Sequence, residues 1–375
     1  MPVTGRDEGR KESQVQENQY TKRELTQLQA LPFEEKVKLS RARIREWIDA
    51  YDGKVYVSYS GGKDSTVLLH LVRQIAPEVP AVFSNTGLEY PEVRTFAEQM
   101  GVTIIRPPKT FAEVVREEGY PILSKNIASA ILQARKFDMT GKNRRYMTGD
   151  FRVMRKDGSL GRSMFDKSKW QRLAELGDFR ISDRCCNRMK KQPMRKFERE
   201  HGLHPMLGTM AEEGRLRERA WLLHGCNAFD ARHAVSTPLA FWRETDVLRY
   251  IRVMHLPIAS VYGEIIEDPD CKNCLKLTGV DRTGCVFCGF GAHMEHEGRY
   301  LRLRETHPRL YRYCMEGGHF VDNPDYDPSI PETATDGFRN FNPKQLWEPD
   351  NRGLGMGYVF ETVNRLYGKT LIPYK

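Results

Sequence analysis

The segment Val55–Leu69 constrains the fold of this 375-residue chain more than any other stretch. An apolar, β-branched run ends in the turn Ser60–Thr66, which reads Ser-Gly-Gly-Lys-Asp-Ser-Thr, and an apolar helical pattern follows. This order predicts a strand, a tight turn and a helix. The glycines allow a positive φ and let main-chain amides approach an anion, and a helix N-terminus adds N–H groups and the positive end of a dipole. The segment is therefore predicted to bind nucleotide phosphates.

The residues around this turn repeat the same alternation of strand and helix. The predicted strands, each with the helix that follows it, are 55–60 with 66–75, 81–84 with 91–100, and 102–106 with 111–118. This pattern is typical of an α/β fold with a doubly wound parallel sheet. Ligands bind such sheets at the carboxyl ends of the strands, so Ser60–Ser65 and Asn85–Gly87 are predicted to face one pocket.

The order of residues in the turn matches neither the Walker A loop nor the dinucleotide fingerprint. It resembles the PP-loop of the ATP pyrophosphatase superfamily, also called the adenine nucleotide α-hydrolase or HUP-like fold. Its members cleave ATP between the α- and β-phosphates and adenylate a substrate. The resemblance implies that this chain binds ATP and Mg²⁺. The residues expected to contact ATP are Tyr59, Ser60, Gly61, Gly62, Lys63, Asp64, Ser65, Thr66, Asn85, Thr86 and Gly87.

Two residues of the turn are candidate catalytic groups. Lys63, together with main-chain amides, is expected to stabilise the charge on the departing pyrophosphate. Asp64 is expected to hold Mg²⁺, which prefers carboxylate and phosphate oxygens as ligands. An alternative role for Asp64 is to cap the helix that begins beside it.

Four of the eight cysteines form two pairs with the spacing of a metal site. Cys271 and Cys274 make one C-x2-C pair, and Cys285 and Cys288 make the second pair ten residues later. Each pair lets two thiolates reach one metal from a tight turn, so these four residues are the predicted metal ligands. The spacing suits a zinc ribbon as well as a [4Fe–4S] cluster. Metal or redox chemistry is expected of these cysteines rather than structural disulfides.

Dispersed motifs extend the resemblance to residues 50–292. The segments Ser60–Thr66, Asn85–Glu92, Cys185–Pro193 and Pro238–Ile251 occur in the order found in the phosphoadenosine phosphosulfate (PAPS) reductase family. In the adenylyl-sulfate branch of that family, a Cys-Cys pair and a distal C-x2-C pair hold a [4Fe–4S] cluster. The resemblance therefore favours an iron–sulfur cluster over zinc.

Two departures argue against sulfate reduction. The family's C-terminal Glu-Cys-Gly-x-His motif is missing, since no cysteine follows Cys314. An arginine that would pair with substrate phosphate or sulfate is replaced by Met210. The chain is more similar to the sulfur-inserting branch, which includes the DNA phosphorothioation ATP pyrophosphatase and, more distantly, iron–sulfur tRNA thiolases.

These observations favour an ATP-dependent, AMP-forming sulfurtransferase that adenylates a nucleic acid or a nucleobase. Cys185 and Cys186 are candidate catalytic residues, either as cluster ligands or as carriers of a persulfide. The neighbouring Arg184, Arg188 and Lys190 are expected to lower the pKa of a thiol at this pair. A cysteine desulfurase or another sulfur donor is the partner that this reading implies. The alternatives are a sulfonucleotide reductase and a non-enzymatic nucleotide- or nucleic-acid-binding module with a zinc ribbon.

The formal charge of +9 is concentrated in residues 135–172. Such a stretch is either a solvated face or a surface for the phosphate backbone of DNA or tRNA. Tyr146, Phe151 and Trp170 lie among these charges and are candidates for stacking on bases. Nucleic acid is therefore an expected partner through this stretch.

The predicted domain organisation has four parts. Residues 1–30 are expected to form a flexible arm, and 31–262 a nucleotide-binding α/β domain with a basic insertion at 137–172. Residues 263–320 form the Cys-rich metal-binding subdomain, and the C-terminal extension 321–375 is expected to wrap over the surface. The chain has no apolar run of membrane-spanning length and no signal-peptide pattern, so no membrane partner and a cytoplasmic location are expected.

Overall fold

A computed structural model of the chain describes residues 18–136, 141–150, 152–155, 157–163, 165–271, 274–295, 298–333 and 337–375. Phe151, the first half of the predicted arm and the start of the predicted basic insertion lie outside these residues. Where the arm is described it is not irregular, because α1 begins after Thr21, whose side chain and Glu24 form a capping box.

The chain alternates helices and strands along most of its described length. The α-helices are α1 (Lys22–Gln29), α2 (Phe33–Ala50), α3 (Lys63–Arg73), α4 (Pro91–Gln99), α5 (Phe111–Glu118), α6 (Lys125–Ala134), α7 (Gly141–Thr148), α8 (Gln171–Leu176), α9 (Gln192–His201), α10 (Arg215–His224), α11 (Glu244–Val253), α12 (Arg299–Thr306), α13 (Pro308–Met315) and α14 (Met356–Tyr367). The strands are β1 (Val55–Tyr59), β2 (Ala81–Ser84), β3 (Thr103–Ile105), β4 (Ile122–Leu123), β5 (Arg152–Met154), β6 (Leu160–Arg162), β7 (His204–Leu207), β8 (Asn227–Ala228), β9 (Val235–Ser236), β10 (Ile265–Glu267), β11 (Leu275–Leu277), β12 (Gly289–Phe290), β13 (His319–Asp322) and β14 (Gln345–Glu348).

The central sheet is mostly parallel, as the sequence predicts for this α/β fold. Its strand order is β3-β2-β1-β7-β9-β8, and only β8 and β9 are antiparallel among the pairs with a defined register. β1 lies in the middle, with Val57 opposite Ala81 on one side and Met206 on the other. The apolar run that predicts β1 is fully buried at Val55 and Val57, as expected for a strand covered on both faces.

The chain divides into two compact units, and both are built from separate pieces of sequence. Unit 1 contains residues 18–83, 91–105 and 197–283, and unit 2 contains residues 84–90, 106–196 and 284–375. These boundaries do not coincide with the four predicted segments, and the predicted subdomain 263–320 is divided after Thr283. Pattern along the chain predicts local elements, whereas a compact unit is defined by contacts between residues distant in sequence.

The N-termini of two helices of unit 1, α3 and α11, are capped in different ways. α3 starts at Lys63 because Gly62 is its N-cap, so Lys63–Thr66 form the first helical turn rather than a loop. α11 starts at Glu244, and its N-terminus is capped by the carboxylate of Asp246, which accepts a 2.8 Å hydrogen bond from the amide of Arg243. Thr245 lies inside the helix.

The C-terminal extension belongs to the core of unit 2, so the prediction that it wraps the surface is wrong. Met356, Val359, Phe360 and Val363 are fully buried at the spacing of one helical face, and Ile372 is buried beyond the end of α14. The abundance of Pro, Asp and Gly before Leu354 concealed this amphipathic helix. None of the helices in the described part of the chain is long and apolar enough to cross a membrane.

Candidate functional site

The turn between β1 and α3 has the backbone geometry of an anion cradle. Gly61 adopts a φ of +71°, and a Cβ atom at this position would lie 2.6 Å from Cγ1 of Val93. On the other side, a Cβ atom at Gly208 would lie 2.8 Å from the main-chain oxygen of Asp64. Glycine is therefore required at both positions, and the first amides of α3 are held in a fixed orientation at the helix N-terminus.

Hydroxyl groups line this turn and bond mainly to one another. The hydroxyls of Ser60 and Ser65 lie 3.0 Å apart, and Ser60 Oγ accepts a hydrogen bond from the amide of Gly62. Thr66 Oγ1 donates to the main-chain oxygen of Gly62 and lies 3.2 Å from the hydroxyl of Tyr59. Burial raises the pKa of Tyr59 to about 12. The ring of Tyr59 lies in the core, and its hydroxyl makes the contact with the turn.

Lys63 is buried and has protein partners. Its ammonium group donates a 2.8 Å hydrogen bond to the main-chain oxygen of Asp281 and lies 3.1 Å from a carboxylate oxygen of Glu244. Its amide donates to the hydroxyl of Tyr262, which lies 2.7 Å from the hydroxyl of Thr283. The segment Asp281–Thr283 therefore closes over the start of α3, a contact that no sequence pattern predicted.

Asp64 carries an unsatisfied buried carboxylate oxygen. Within the part of the chain that the structure describes, Oδ1 of Asp64 is buried and has no hydrogen-bond partner. Burial raises the pKa of this carboxyl, and the charge of Lys63 opposes the shift. A buried carboxylate oxygen without a partner is costly, and a hard cation would satisfy it. The donor chemistry at Asp64 therefore fits the Mg²⁺ that the sequence analysis assigned to it.

The predicted nucleotide-binding residues Asn85, Thr86 and Gly87 belong to unit 2, whereas Ser60–Thr66 belong to unit 1. Asn85 accepts a 3.1 Å hydrogen bond from the amide of Gly87, whose φ is +72°. The hydroxyl of Thr86 donates a 2.7 Å bond to Glu89. These bonds make a compact turn after β2.

Four cysteines from distant parts of the sequence line one cavity of unit 2, which we call the thiol cavity. It is lined by Leu88, Phe111, Pro121, Cys185, Cys186, Met189, Lys190, Cys285 and Cys288. Cys185 and Cys186 precede a π-helical turn at Asn187–Lys191, a rare geometry often found at functional sites. The amide of Val286 donates a 2.7 Å hydrogen bond to the main-chain oxygen of Leu88, which fixes the second thiol pair at this cavity.

The structure groups the cysteines differently from the predicted metal set. Cys285 and Cys288 lie with Cys185 and Cys186, while Cys271 and Cys274 belong to unit 1 and form a disulfide with each other. Cys271 and Cys274 lie in the connection between the antiparallel strands β10 and β11, which brings their two sulfurs together. The regular spacing of the two C-x2-C pairs therefore does not require that both pairs bind the same metal.

The thiol cavity is electrostatically asymmetric. The pKa of the Cys186 thiol is lowered by a hydrogen bond with Cys185 and by the nearby ammonium groups of Lys125 and Lys190. Burial alone would lower the pKa of Lys190, but the adjacent Cys285 thiol and Glu89 raise it overall. Lys190 Nζ lies 3.5 Å from Glu89. The cavity therefore contains cations that favour a thiolate at Cys186, while burial raises the pKa of the Cys285 and Cys288 thiols.

Two of the three basic residues that were expected to lower the pKa of a thiol at Cys185 and Cys186 pair with a carboxylate instead. Arg184 and Arg188 both pair with Glu118, at 3.0 and 2.6 Å, instead of with the thiols. The cations that act on Cys186 are Lys190, which was predicted, and Lys125, which was not.

The donor chemistry of the thiol cavity fits an iron–sulfur cluster, whose irons are bound by cysteine thiolates. Among the described residues, no three His, Cys, Asp or Glu side chains converge closely enough to hold one metal ion. A zinc ribbon needs four donors around one ion, whereas a [4Fe–4S] cluster places its four thiolate ligands on four separate irons. Cys185, Cys186, Cys285 and Cys288 supply four thiols to one cavity, which is the number of ligands that such a cluster takes.

Part of the basic stretch is structural. Arg135 donates hydrogen bonds to the main-chain oxygens of Leu173, Ala174, Gly177 and Phe179. Arg144 is buried and bonds to Asn340. Trp170 is 5% exposed and packs edge-on against His293 and Tyr367, so the interpretation of this ring as a stacking platform is wrong.

The rest of the basic stretch includes an exposed hairpin. In the antiparallel pair β5–β6, Arg152 lies opposite Arg162 and Met154 lies opposite Leu160. All four side chains are exposed. Arg162 Nε lies 3.5 Å from a carboxylate oxygen of Asp166, and the charges of Arg162 and Arg152 both help to lower the pKa of that carboxyl.

The chain is similar to several known proteins. An uncharacterized protein of Methanocaldococcus jannaschii is 22% identical over 287 residues, which cover 74% of this chain and 52% of that protein. The chain thus spans about half the length of that relative. A PAPS reductase from Candida auris aligns over 68% of this chain and 98% of its own, with a TM-score of 0.35 and 14% identity. The U34-tRNA thiolase NcsA of Methanococcus maripaludis, solved with its [4Fe–4S] cluster, aligns over 60% of this chain and 66% of its own, with a TM-score of 0.27 and 16% identity.

The family model for the phosphoadenosine phosphosulfate reductase domain matches residues 54–123 and 133–289. These two segments contain the turn before α3 and all four cysteines of the thiol cavity. With the central sheet, the glycine-bearing turn and the thiol cavity in place, the chain belongs to the phosphoadenosine phosphosulfate reductase domain family.

Proposed function

We propose that the protein is an ATP-dependent, AMP-forming sulfurtransferase that adenylates a nucleic-acid acceptor and releases pyrophosphate. The observation that carries this proposal is the start of α3, where Gly61, Gly62 and the unpartnered Asp64 oxygen form a ready site for phosphates and their cation. Main-chain amides at a helix N-terminus bind phosphate without further rearrangement.

In the first step, an acceptor oxygen attacks the α-phosphorus of ATP, the bond to the β-phosphate oxygen breaks, and pyrophosphate leaves. The amides at the start of α3 stabilise the negative charge that accumulates on the departing group. Lys63 adds a positive charge once its ammonium turns from Asp281 and Glu244 towards phosphate. Mg²⁺ held by Asp64 would neutralise phosphate charge.

In the second step, sulfide attacks the adenylated carbon and AMP leaves, so the acceptor C–O bond is replaced by C–S without any net change in oxidation state. Cys185, Cys186, Cys285 and Cys288 would hold a [4Fe–4S] cluster. Because these four thiolates would occupy all four irons, the transferred sulfide comes from a separate donor. In this arrangement Cys185 and Cys186 act as ligands rather than as persulfide carriers. Lys190 stabilises the anionic thiolates around the cavity.

Nucleic acid is the proposed acceptor because of the β5–β6 hairpin. Arg152 and Arg162 present two exposed guanidinium groups on one face, beside the exposed apolar side chains of Met154 and Leu160. Guanidinium groups bind backbone phosphates, and apolar side chains can contact bases.

The test is an anaerobic assay with purified protein, α-labelled ATP, sulfide, and either tRNA or duplex DNA. The expected result is formation of AMP and pyrophosphate that depends on one of these acceptors. Mass spectrometry of the digested acceptor should then show a sulfur-for-oxygen exchange. Asp64→Asn, which keeps the shape of the side chain, should abolish AMP formation.

ADP formation in place of AMP would overturn the α–β cleavage. AMP formation with no sulfur in any acceptor, in a protein that retains its iron and sulfide, would overturn sulfur transfer while leaving the adenylation step in place.

A further inference from the structure

Two arginines of unit 1 share one carboxylate beside the start of α3. Arg217 pairs with one oxygen of Glu213, and Arg282 pairs with the other. Glu213 is itself fixed, because it accepts a 2.8 Å hydrogen bond from the amide of Met210. The Glu213 side chain is 11% exposed, whereas those of Arg217 and Arg282 are 42% and 60% exposed. A buried carboxylate therefore holds two accessible guanidinium groups side by side.

These arginines lie close enough to the turn before α3 to interact electrostatically with Asp64. Gly208 packs against the main chain of Asp64, and the short helical turn that carries Glu213 follows three residues later. The charge of Arg282 lowers the pKa of Asp64 against the larger effect of burial. The carboxylate of Asp64 acts in turn on Arg217. Both guanidinium groups thus lie within electrostatic range of the helix N-terminus.

The charges around the turn leave a positive excess at this pair. Two guanidinium groups face one carboxylate, while Lys63 already has Glu244 and the Asp281 oxygen as partners. Each guanidinium has five N–H donors in a planar fork, so donors remain after the bond with Glu213. This geometry matches the oxygens of phosphate groups, which arginine binds in a bidentate manner.

The pair also accounts for the arginine that this chain lacks at position 210. Met210 is 1% exposed, so this side chain points into the core and offers nothing to a ligand. Its amide instead positions Glu213, and Glu213 positions the two arginines.

We propose that Arg217 and Arg282 bind the β- and γ-phosphates of ATP, the part that leaves as pyrophosphate, and that Glu213 is their positioning residue. The inference rests on the proposed function, namely that the turn before α3 binds ATP.

The test is isothermal titration calorimetry of the full-length protein with ATP, AMP and pyrophosphate as separate ligands. Arg282→Ala and Arg217→Ala should each weaken binding of ATP and pyrophosphate about tenfold or more, the usual effect of losing a charge-assisted hydrogen bond. Binding of AMP, which lacks both phosphates, should change by less than about twofold. Arg282→Lys should fall between wild type and Arg282→Ala, because lysine keeps the charge but loses the fork.

Arg252→Ala is the matched control, because Arg252 is a 53% exposed arginine of the same unit, paired with Glu267. It should bind all three ligands as the wild type does. Glu213→Gln should weaken ATP and pyrophosphate but not AMP, which a general loss of structure would not do. If Arg217→Ala does not fold, Arg282→Ala carries the test alone.

If Arg282→Ala binds ATP with wild-type affinity while the wild type forms AMP, the inference is overturned and the proposed function stands. If the wild type binds neither ATP nor pyrophosphate, the proposed function fails and the inference fails with it.

Discussion

The ammonium group of Lys63 donates a 2.8 Å hydrogen bond to the main-chain oxygen of Asp281. This bond joins the first residue of α3 to a segment more than two hundred positions later in the chain, and Thr283 of that segment also contacts Tyr262 beneath the same helix. The ammonium group of Lys63 is therefore bound by Asp281 and Glu244, next to the turn that is expected to bind phosphates. Its use in the proposed reaction requires an exchange of those partners for phosphate oxygens.

Replacing Lys63 with methionine should reduce AMP formation about a hundredfold or more, because one preorganised charge on the departing pyrophosphate is lost. The measurement is the rate of AMP release from labelled ATP at saturating acceptor. A rate within about threefold of wild type would contradict the role of Lys63.

Lys36→Met is the matched control for this experiment. Lys36 is also buried in unit 1, with its ammonium 2.7 Å from Asp246. Its replacement should lower the free energy of unfolding through the unpaired Asp246, yet leave the rate of AMP formation per folded molecule unchanged.

The two groupings of cysteines predict different effects on iron content. Replacing Cys185 or Cys285 with serine should remove most of the iron and acid-labile sulfide of anaerobically purified protein, because each would supply one of four ligands. The double variant Cys271→Ser/Cys274→Ser should retain both, since its thiols are paired in unit 1. Iron analysis, sulfide analysis and the visible spectrum measure this difference.

Cys226→Ser and Cys314→Ser are suitable controls, because both residues are buried thiols that do not line the thiol cavity. Loss of iron from the Cys271→Ser/Cys274→Ser protein, with iron retained in Cys185→Ser, would restore the ligand set first predicted from spacing. One zinc and no sulfide in the wild type would rule out the cluster.

Gly61→Ala should abolish AMP formation and destabilise the protein by more than a positive φ alone explains. A left-handed φ costs a non-glycine residue about 1–2 kcal/mol. At Gly61 the new Cβ atom would also meet Val93. Gly53→Ala separates the two effects, because Gly53 has a φ of +75° and no atom within 4 Å of the added Cβ position. Urea unfolding should show the larger loss for Gly61→Ala, and equal losses would show that Val93 does not crowd the turn.

The hairpin variant Arg152→Ala/Arg162→Ala should bind tRNA or duplex DNA more weakly and with a lower salt dependence. Each lost phosphate contact reduces the slope of log K against log salt by about 0.9 on duplex DNA, so the double variant should lose nearly two units of slope. Fluorescence anisotropy at several salt concentrations measures both quantities. Arg249→Ala/Arg252→Ala removes the same charge from exposed positions of unit 1, and an equal fall in slope there would show that binding does not depend on the hairpin.

Glu118 should make the stability of the protein depend on pH. Burial alone would raise its pKa, but hydrogen bonds from Arg188 and Arg184 lower the pKa overall below the ordinary value of a glutamate. A carboxyl with a depressed folded pKa contributes stability above its unfolded pKa, and this contribution is lost as the pH falls through the folded value. Glu118→Gln should therefore cost about 1–2 kcal/mol at pH 7. The difference from wild type should begin to shrink as the pH falls below about 4.3, and it should disappear below the lowered pKa of the folded state.

Urea unfolding of both proteins at several pH values checks this dependence. Glu117→Gln is the control, because Glu117 is the preceding residue of α5 and its partner Lys109 is half exposed. The pair at Glu117 should contribute less than about 1 kcal/mol at any pH. A pH-independent cost at Glu118 would mean that the carboxylate is not ionised in its pairing with the arginines.

The parts of the fold that follow local rules could be predicted from the sequence. The β-branched run before Ser60 predicted β1, and the alternation of apolar segments predicted the parallel arrangement of β1 and β2. The glycines of the turn predicted a positive φ, which occurs at Gly61. These features depend on residues that are neighbours along the chain, where periodicity and turn chemistry act directly.

The parts that depend on distant contacts could not be predicted. Regular spacing suggested one site for Cys271, Cys274, Cys285 and Cys288, yet sequence separation says nothing about which thiols meet in space. Arg135 and Trp170 carry the signature of a binding surface in the sequence but are used for packing. The pairing of Arg217 and Arg282 through Glu213 joins residues sixty-five positions apart, and no motif connects them.

The thiol cavity has a consequence for the order of events during synthesis. Its first pair of cysteines leaves the ribosome about a hundred residues before its second pair, a delay of roughly 5 to 20 seconds at ordinary rates of translation. The core that surrounds the cavity also includes α14 from the end of the chain. Cys185 and Cys186 therefore emerge without their partners, and any group held by all four thiols can be inserted only into a nearly finished polypeptide.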